Sequence, residues 1–570
     1  MKKLLTYSCA VFTACALHAD STWLATLDLE NIQSLQTGIE AFINASGIPV
    51  KSEDITGMVT AAFGDTFLSS LDTAISFKDP IRIFLTENSA KPLSAGGEPE
   101  VILAMTLPAA AKALQDKLAQ VYGARSEADN IITFTTPKGD SPFPKNMLLS
   151  VADRKAILTT SKDAFTWLQQ QKKFDGLLPA AGNQTLKVCL NASRLAGMMP
   201  QMPVGQPNPL AAILGDLDTL SIGITPNAQA LTLSYGLKAK ADSPLATFLS
   251  AFGHPDAALW NGLPENTLLA YVGTQGKYAA AKKFTEAYLQ QPVPDNPVMS
   301  KLLDALSSEV VRYLAPTKDN KSLRLIDIDP IKDAAVIKEI IKTLDQTEVA
   351  PGVKYKKEEG RQIGEQAIER YSIVFDVNAM MQARGGANAG ANAAAANAVN
   401  MAMNPAGIAL SLFAKSIVIE MTVKDNYLLS SIGPTGATDD WLPVLPFPTP
   451  TAATLDKKLA AQDPAAKALL GAGELRILPL FKQIVSMLPN AKPEHVNLFT
   501  AKTDPIQFWA TRTADNTTIS TVRIPVNEIA AIVKITETGE TALQEIMFAI
   551  FASQLLTPAM PPAAVPPPNF

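Results

Sequence analysis

The chain contains 570 residues, of which 47% are hydrophobic and 18% are charged. This composition is typical of a globular protein and excludes a largely disordered chain. The length exceeds what one compact core usually holds, so it predicts two to four domains or a duplicated unit. The formal net charge is −5, and no broad basic region would attract a phosphate backbone. General nucleic-acid binding is therefore not expected.

The N-terminus has the layout of a secretory signal peptide over residues 1–19. Two lysines precede an apolar stretch, Leu4 to Leu17, which is too short to span a bilayer as a permanent helix. Cleavage fits after Ala16 or after Ala19. A third alternative is lipidation at Cys15, because the residues before it resemble a bacterial lipobox. The sequence predicts export to the periplasm or cell envelope of a bacterium, with an outer-membrane lipoprotein as the alternative.

After cleavage, Cys189 is the one cysteine left unless Cys15 is kept with a lipid. A disulfide within the mature chain is then impossible. The segment Leu186 to Leu190 has the composition of a strand. Cys189 is therefore predicted to be a small buried hydrophobe rather than a nucleophile.

Strand and helix patterns recur in the same order along the chain. The strand-like segment Leu186 to Asn191 leads into a helix-like run, and so does the segment Leu475 to Leu480. In each case two alternating segments with a polar turn follow, which predicts strand pairs within residues 218–238 and 504–524. This order predicts a duplication, in which residues 186–200 superpose on residues 475–489.

The predicted fold class is α+β, with two similar halves that are each mainly antiparallel sheet with helices packed on one face. Short turns between successive strands favour hairpins over parallel crossovers. The predicted parts are a signal peptide at 1–19, a first half at 20–252, a linker at 253–262, a second half at 263–556 and a proline-rich tail at 557–570.

A low-complexity insertion at residues 379–415 interrupts a hairpin of the second half. Its Gly, Ala and Asn composition offers little to bury. An apolar patch follows within it, formed by Ile408, Leu410, Leu412 and Phe413. One interpretation is a loop whose exit segment docks on its own domain. The other is an arm that contacts an envelope protein or a membrane surface.

Residues that could hold a metal ion are sparse. The histidines of the mature chain, His254 and His495, show no metal-binding spacing and are predicted to lie in surface loops. Asp327 and Asp329 alternate on a strand-like segment but lack the other ligands of an EF-hand loop. A Ca²⁺ site of carboxylates alone stays open there, although capping of the following helix is the preferred interpretation.

Motifs for nucleophilic catalysis and cofactor binding are missing as well. The chain has no G-x-S-x-G elbow, no P-loop and no complete G-x-G-x-x-G, since Gly471-Ala472-Gly473 stops short. Aromatic residues make up 6%, and Trp167 and Trp441 fit core positions better than sugar platforms. No catalytic residue, metal or cofactor is therefore predicted.

The repeated units, such as Lys155 to Ser161 with its following helix, resemble uncharacterised secreted bacterial proteins of a domain-of-unknown-function type. This resemblance implies a cell-envelope location and brings no catalytic residues. The leading hypothesis is a non-enzymatic envelope protein that binds or scaffolds a partner. The alternatives are a carrier of an apolar ligand, held between sheet and helices, and a hydrolase with an unrecognised carboxylate site.

Overall fold

The computed structural model has a mixed α+β fold with extensive antiparallel sheet. It describes residues 23–30, 32–50, 79–87, 100–107, 112–128, 130–137, 146–152, 154–163, 165, 185–198, 208–253, 255, 267–274, 278–289, 297–317, 320, 322–345, 348–350, 353–375, 418–433, 469–488, 491–513 and 517–546.

The strands in chain order are β1 (Trp23–Leu29), β2 (Ile81–Thr86), β3 (Glu100–Thr106), β4 (Tyr122–Ala128), β5 (Ile131–Pro137), β6 (Asn146–Ala152), β7 (Lys155–Thr159), β8 (Leu186–Asn191), β9 (Leu217–Pro226), β10 (Ala230–Ala239), β11 (Leu269–Thr274), β12 (Glu309–Pro316), β13 (Leu323–Pro330), β14 (Glu348–Ala350), β15 (Val353–Ile363), β16 (Gln366–Phe375), β17 (Val418–Lys424), β18 (Tyr427–Gly433), β19 (Leu469–Leu475), β20 (Ile506–Arg512) and β21 (Thr517–Pro525).

The helices in chain order are α1 (Ile32–Ser46), α2 (Lys112–Val121), α3 (Ala192–Met198), α4 (Pro209–Gly215), α5 (Pro244–Ser250), α6 (Tyr278–Leu289), α7 (Pro297–Ala305), α8 (Ala334–Thr343), α9 (Ile477–Met487), α10 (Pro493–Asn497) and α11 (Val526–Thr538). Residues 540–546 are also helical.

Contacts divide the chain into two compact units. The first comprises residues 1–250, 282–293 and 510–530. The second comprises residues 251–281, 294–509 and 531–570. Both units are discontinuous, because short pieces of the later chain belong to the first one. The predicted boundaries at 252 and 263 stay predictions.

The sheet of the first unit is antiparallel at every strand pair that the structure describes. Its order is β4-β5-β6-β7-β3-β2-β1-β8-β9-β10-β21. The hairpin predicted within residues 218–238 is confirmed as the pair of β9 and β10. Asn227 forms its turn, since its side-chain oxygen accepts hydrogen bonds from the backbone N–H groups of Gln229 and Ala230.

One face of this first sheet carries a closed apolar core. Leu103 and Met105 of β3 pack there with Leu114 and Leu118 of α2, and all four side chains are buried. The spacing of four residues between the two helical leucines puts them on one helix face. Helix α2 is therefore held by burial of its apolar stripe.

The sheet of the second unit has the order β14-β15-β16-β17-β18-β13-β12-β11-β19-β20. All of these pairs except β19 with β20 have a described register, and each of them is antiparallel. Helix α8 packs on one face, where Ile337 and Ile341 contact Leu428 of β18 and Ile419 of β17 in one buried cluster. Opposite them on the other face, Val311 and Ile328 belong to a second cluster.

The strand predicted at Leu475 to Leu480 is wrong by about one strand length. Strand β19 ends at Leu475, and helix α9 begins at Ile477. The local apolar pattern of 475–480 fits either element, and burial of Leu478 in a helical cluster decided it. The strand itself contains Gly471 and Gly473, which lowered its strand-like appearance in the sequence.

The carboxylate that caps helix α8 is Asp333. Its side chain accepts hydrogen bonds from the N–H groups of Ala335 and Val336, both at 3.0 Å. The capping role expected for Asp327 and Asp329 is therefore wrong, because both lie within β13. A cap must sit directly before the first helical turn, whereas β13 ends at Pro330, three residues before the cap position Asp333.

Candidate functional site

An apolar groove lies on the helices of the second unit. It is formed by α9, by Phe499, by residues 532–536 of α11 and by residues 543–546 of the next helical segment. Leu478, Val485 and Ile535 are buried at its base. Among its lining residues only Thr536 carries a polar side chain.

The rim of the groove exposes large apolar side chains. Phe481 is 46% exposed and Ile532 is 37% exposed. Phe481 also stacks on Phe499, with ring centroids 5.7 Å apart. Exposed apolar side chains beside a concave surface are typical of a binding site, whereas single ones are ordinary.

The volume of the groove is about 210 Å³. Pockets that enclose a small molecule usually measure about 300–1,000 Å³. An engineered cavity of about 150 Å³ holds one benzene molecule. The groove therefore has room for one aromatic or two aliphatic side chains, and a whole lipid-like ligand would not be enclosed.

A polar network borders this groove. His495 is buried, and its Nε2 lies 2.9 Å from Glu545 Oε2. The backbone N–H of Lys492 donates to His495 Nδ1, so Nε2 carries the hydrogen that Glu545 accepts. Lys492 Nζ reaches the same carboxylate oxygen at 2.6 Å. The pKa of Glu545 is lowered by Lys492 first and by His495 second.

The prediction that His495 lies in a surface loop is therefore wrong. It belongs to helix α10 and packs into the protein. Its partner Glu545 is 50 residues further along the chain. No local pattern indicates a contact over that distance, so the sequence could not reveal it.

A second surface feature of this unit is an aromatic shelf, formed by Tyr271 of β11 and Phe508 of β20. The two rings are nearly parallel, at 10°, and their centroids are 6.4 Å apart. Both lie over β19, because a side chain at Gly471 would overlap Tyr271 and one at Gly473 would overlap Phe508. Glycine is required on this strand so that the rings can lie flat.

Charged residues adjoin the shelf on the neighbouring strands. Four residues on adjacent strands are register partners in turn: Tyr271 of β11, Arg312 of β12, Asp327 of β13 and Ser430 of β18. We call these four residues the polar row. Arg312 Nε lies 3.2 Å from Asp327 Oδ1, and the Arg312 side chain is 50% exposed. Burial raises the pKa of Asp327, while Arg312 acts in the opposite direction.

The candidate lipidation residue Cys15 and the contact residues Ile408, Leu410, Leu412 and Phe413 are outside the described residues. Trp167 and Trp441 are outside them as well. These predictions therefore stay predictions.

Cys189 lies in β8 as the sequence predicts, where it is half-buried. Burial raises the pKa of its thiol, although Lys187 acts in the opposite direction. A thiol with a raised pKa forms little thiolate at neutral pH, so this residue is not activated as a nucleophile.

The described residues contain neither a cluster of metal ligands nor a helix that could cross a membrane. Within them, no three or more His, Cys, Asp and Glu side chains come together in a way that could hold a metal ion. No described helix combines the length and the apolar character needed to cross a bilayer.

The fold and these surfaces define the chain as an antiparallel α+β protein with an apolar groove and an aromatic shelf. Comparisons with protein-family models, with curated proteins and with solved structures find no match. The function must therefore be argued from the surfaces themselves.

Proposed function

We propose that this chain is a non-enzymatic binding protein of the bacterial envelope, which uses the apolar groove to dock an amphipathic helix of a partner protein. The observation that carries the proposal is the groove itself, which is almost wholly apolar and has Phe481 and Ile532 exposed at its rim. Helix-in-groove recognition uses a few apolar side chains at helical spacing as anchors.

The size of the groove favours this occupant over the alternative of an apolar carrier. A volume of about 210 Å³ accepts one or two side chains of a partner helix, while the remainder of that helix stays outside. A carrier must enclose most of its ligand to shield it from water. Glu545, the chain neighbour of the lining residue Ile546, forms a partly exposed ion pair with Lys492, so charged side chains accompany the apolar lining in sequence.

The signal peptide predicted over residues 1–19 supports an envelope location, and lipidation at Cys15 would fix the protein to a membrane. The resemblance to secreted bacterial proteins of unknown function points the same way. A hydrolase is the less favoured alternative, because Asp28, Asp327 and Glu420 of the described residues are each ion-paired with an arginine rather than with a second carboxylate.

We further propose that the protein arose by duplication of one α+β half. When strands are counted from the start of each half, with the short β14 left out, the order 4-5-6-7-3-2-1-8-9 occurs in both sheets. A helix follows the first, third and eighth strand in each. The junction between strand and helix lies between Asn191 and Ala192 in the first half and between Leu475 and Ile477 in the second half. Matching these two junctions shifts the superposition predicted for residues 186–200 on residues 475–489 by about five residues.

Site-specific photo-cross-linking tests the docking proposal. A photoreactive phenylalanine replaces Phe481 in the full-length protein in native envelopes, and cross-linked peptides are sequenced. The matched control places the same residue at Leu210, which is 52% exposed and lies in the first unit. We expect cross-links from position 481 to one amphipathic helical segment, lost on Ile532→Asp.

A synthetic peptide of the captured segment must then bind the purified protein, and Ile532→Asp must weaken this binding at least tenfold while Leu210→Asp does not. Equal capture from both positions would contradict docking at the groove. So would a captured segment without an apolar helical face. A lipid as the cross-linked species would favour the carrier.

A further inference from the structure

We propose that the aromatic shelf and the adjoining Arg312–Asp327 pair form a binding site for a neutral saccharide. This proposal is independent of the groove, because none of its residues lines that surface. It rests on ring geometry, on the glycines beneath the rings and on the charge balance beside them.

The shelf presents two partly exposed aromatic rings to a ligand. The ring planes of Tyr271 and Phe508 are within 10° of parallel and their centroids are 6.4 Å apart. Tyr271 lies against Gly273 and Gly471, and Phe508 lies against Gly473. Both side chains are half-buried rather than enclosed. The C–H face of a pyranose packs on such a surface by dispersion and by attraction to the ring quadrupole.

The pair beside the shelf supplies hydrogen bonds to hydroxyl groups. Arg312 carries donors only, and ionised Asp327 carries acceptors only. The Arg312 side chain is 50% exposed and the Asp327 side chain is 22% exposed. Because Asp327 Oδ1 is itself buried, a hydroxyl can reach only the remaining part of this carboxyl group. Adjacent hydroxyls of a sugar can accept from the guanidinium and donate to the carboxylate at the same time. Charge-assisted hydrogen bonds of this kind are among the stronger ones.

The charge balance selects a neutral ligand. Arg312 and Asp327 compensate each other at 3.2 Å, so the site offers no net charge to an anion or a cation. Tyr271 keeps its proton at neutral pH, because burial raises the pKa of its phenol. It therefore adds a hydroxyl and no charge.

The central row of the first sheet shows that these polar residues are not needed to build the fold. There, Leu27, Ile83 and Leu103 stand opposite one another on β1, β2 and β3 and belong to the closed apolar core. The row at the same place in the second sheet is Tyr271, Arg312 and Asp327. Where the first sheet has apolar packing, the second sheet has a ring, a donor and an acceptor.

The test uses the full-length secreted chain and three neutral probes, cellotetraose, N-acetylchitotetraose and maltotetraose. Binding is measured by calorimetry, and saturation-transfer NMR shows which sugar protons contact the protein. We expect one probe to bind, with transfer to the axial C–H protons of one ring. Tyr271→Ala and Phe508→Leu should each weaken binding about tenfold, which corresponds to about 1.4 kcal/mol.

Two further variants separate the site from a general loss of structure. Tyr271→Phe keeps the ring and should keep most of the affinity. Tyr235→Ala removes an exposed tyrosine of β10 in the first unit and should change nothing. Arg312→Met should weaken binding without removing it.

Failure of all three probes to bind at millimolar concentration would overturn the proposal. Binding that survives both Tyr271→Ala and Phe508→Leu in folded protein would overturn it too. Adenosine serves as a fourth probe, because a nucleobase also stacks on aromatic rings. Binding of adenosine in preference to the sugars would replace the saccharide by a nucleoside and would likewise contradict the proposal.

Discussion

Glu420 and Arg361 form a two-point ion pair in the second unit. Arg361 Nε and Nη2 each lie 2.8 Å from one oxygen of the carboxylate. Glu420 is fully buried in β17, and Arg370 also approaches it, at 3.7 Å. A buried carboxylate of this kind is tolerated because its charge is met by guanidinium groups.

Removal of this carboxylate should destabilise the protein strongly. Glu420→Ala leaves two guanidinium groups without their anion, and breaking a buried pair from one side costs about 3–5 kcal/mol. Urea denaturation measures the loss. The control is Glu127→Ala, which removes an exposed pair with Arg125 and should cost less than about 1 kcal/mol. Similar losses for the two variants would show that the Glu420 pair is not structurally important.

The glycines beneath the aromatic shelf give a second prediction. In Gly473→Ala the new methyl group would overlap the Phe508 ring and would lie 2.5 Å from the carbonyl oxygen of Ala270. The free energy of unfolding should fall by about 1–3 kcal/mol because the strand and the ring must shift. Thermal unfolding provides the measurement.

Its matched control is Gly215→Ala at the end of α4, where nothing lies within 4 Å of the added atom. That substitution should be neutral or stabilise slightly, since alanine restricts the unfolded chain. If Gly473→Ala behaves in the same way, the rings do not lie against β19.

The network of Glu545, Lys492 and His495 predicts an acid-sensitive contact. Because Lys492 and His495 lower the pKa of Glu545, the ionised carboxylate stabilises the folded state fully at pH values above the ordinary pKa of 4.5. This contribution disappears as the pH falls through the lowered value. NMR titration of the Glu545 carboxyl carbon should show a low pKa that returns toward 4.5 in Lys492→Met. An unchanged titration in that variant would rule out the lysine as the main cause.

The contribution of Asp327 to folding stability should depend on pH in the opposite direction. Burial raises its pKa above the ordinary 3.8, so the folded state holds its proton more tightly than the unfolded state does. Stability should therefore decline as the pH rises from 3.8 to the raised value. Asp327→Asn should remove this decline, which paired denaturation curves across the range would detect.

Arg312→Met provides the check on cause. Because Arg312 lowers the pKa of Asp327, its loss should raise that pKa further. A carboxyl titration that moves downward in this variant would show that the arginine is not the opposing group. The control is Arg125→Met, whose exposed pair with Glu127 is remote in sequence from β13.

Much of the secondary structure was predictable from the sequence. The strand at Leu186 to Leu190 and the two strands within residues 218–238 are confirmed, since alternation of apolar residues over a few positions is a local property. The polar turn predicted between these two strands is confirmed at Asn227 for the same reason. Antiparallel pairing followed from the shortness of such turns.

The tertiary structure decided what depends on residues far apart in the chain. The helical start at Ile477 rests on burial of Leu478 with Ile535, and the burial of His495 rests on Glu545. The incomplete Gly471-Ala472-Gly473 motif has a meaning only once Tyr271 and Phe508 are brought over β19. Local patterning fixes the faces and ends of most elements, but which side chain fills, caps or neutralises another is set by contacts that no local period encodes.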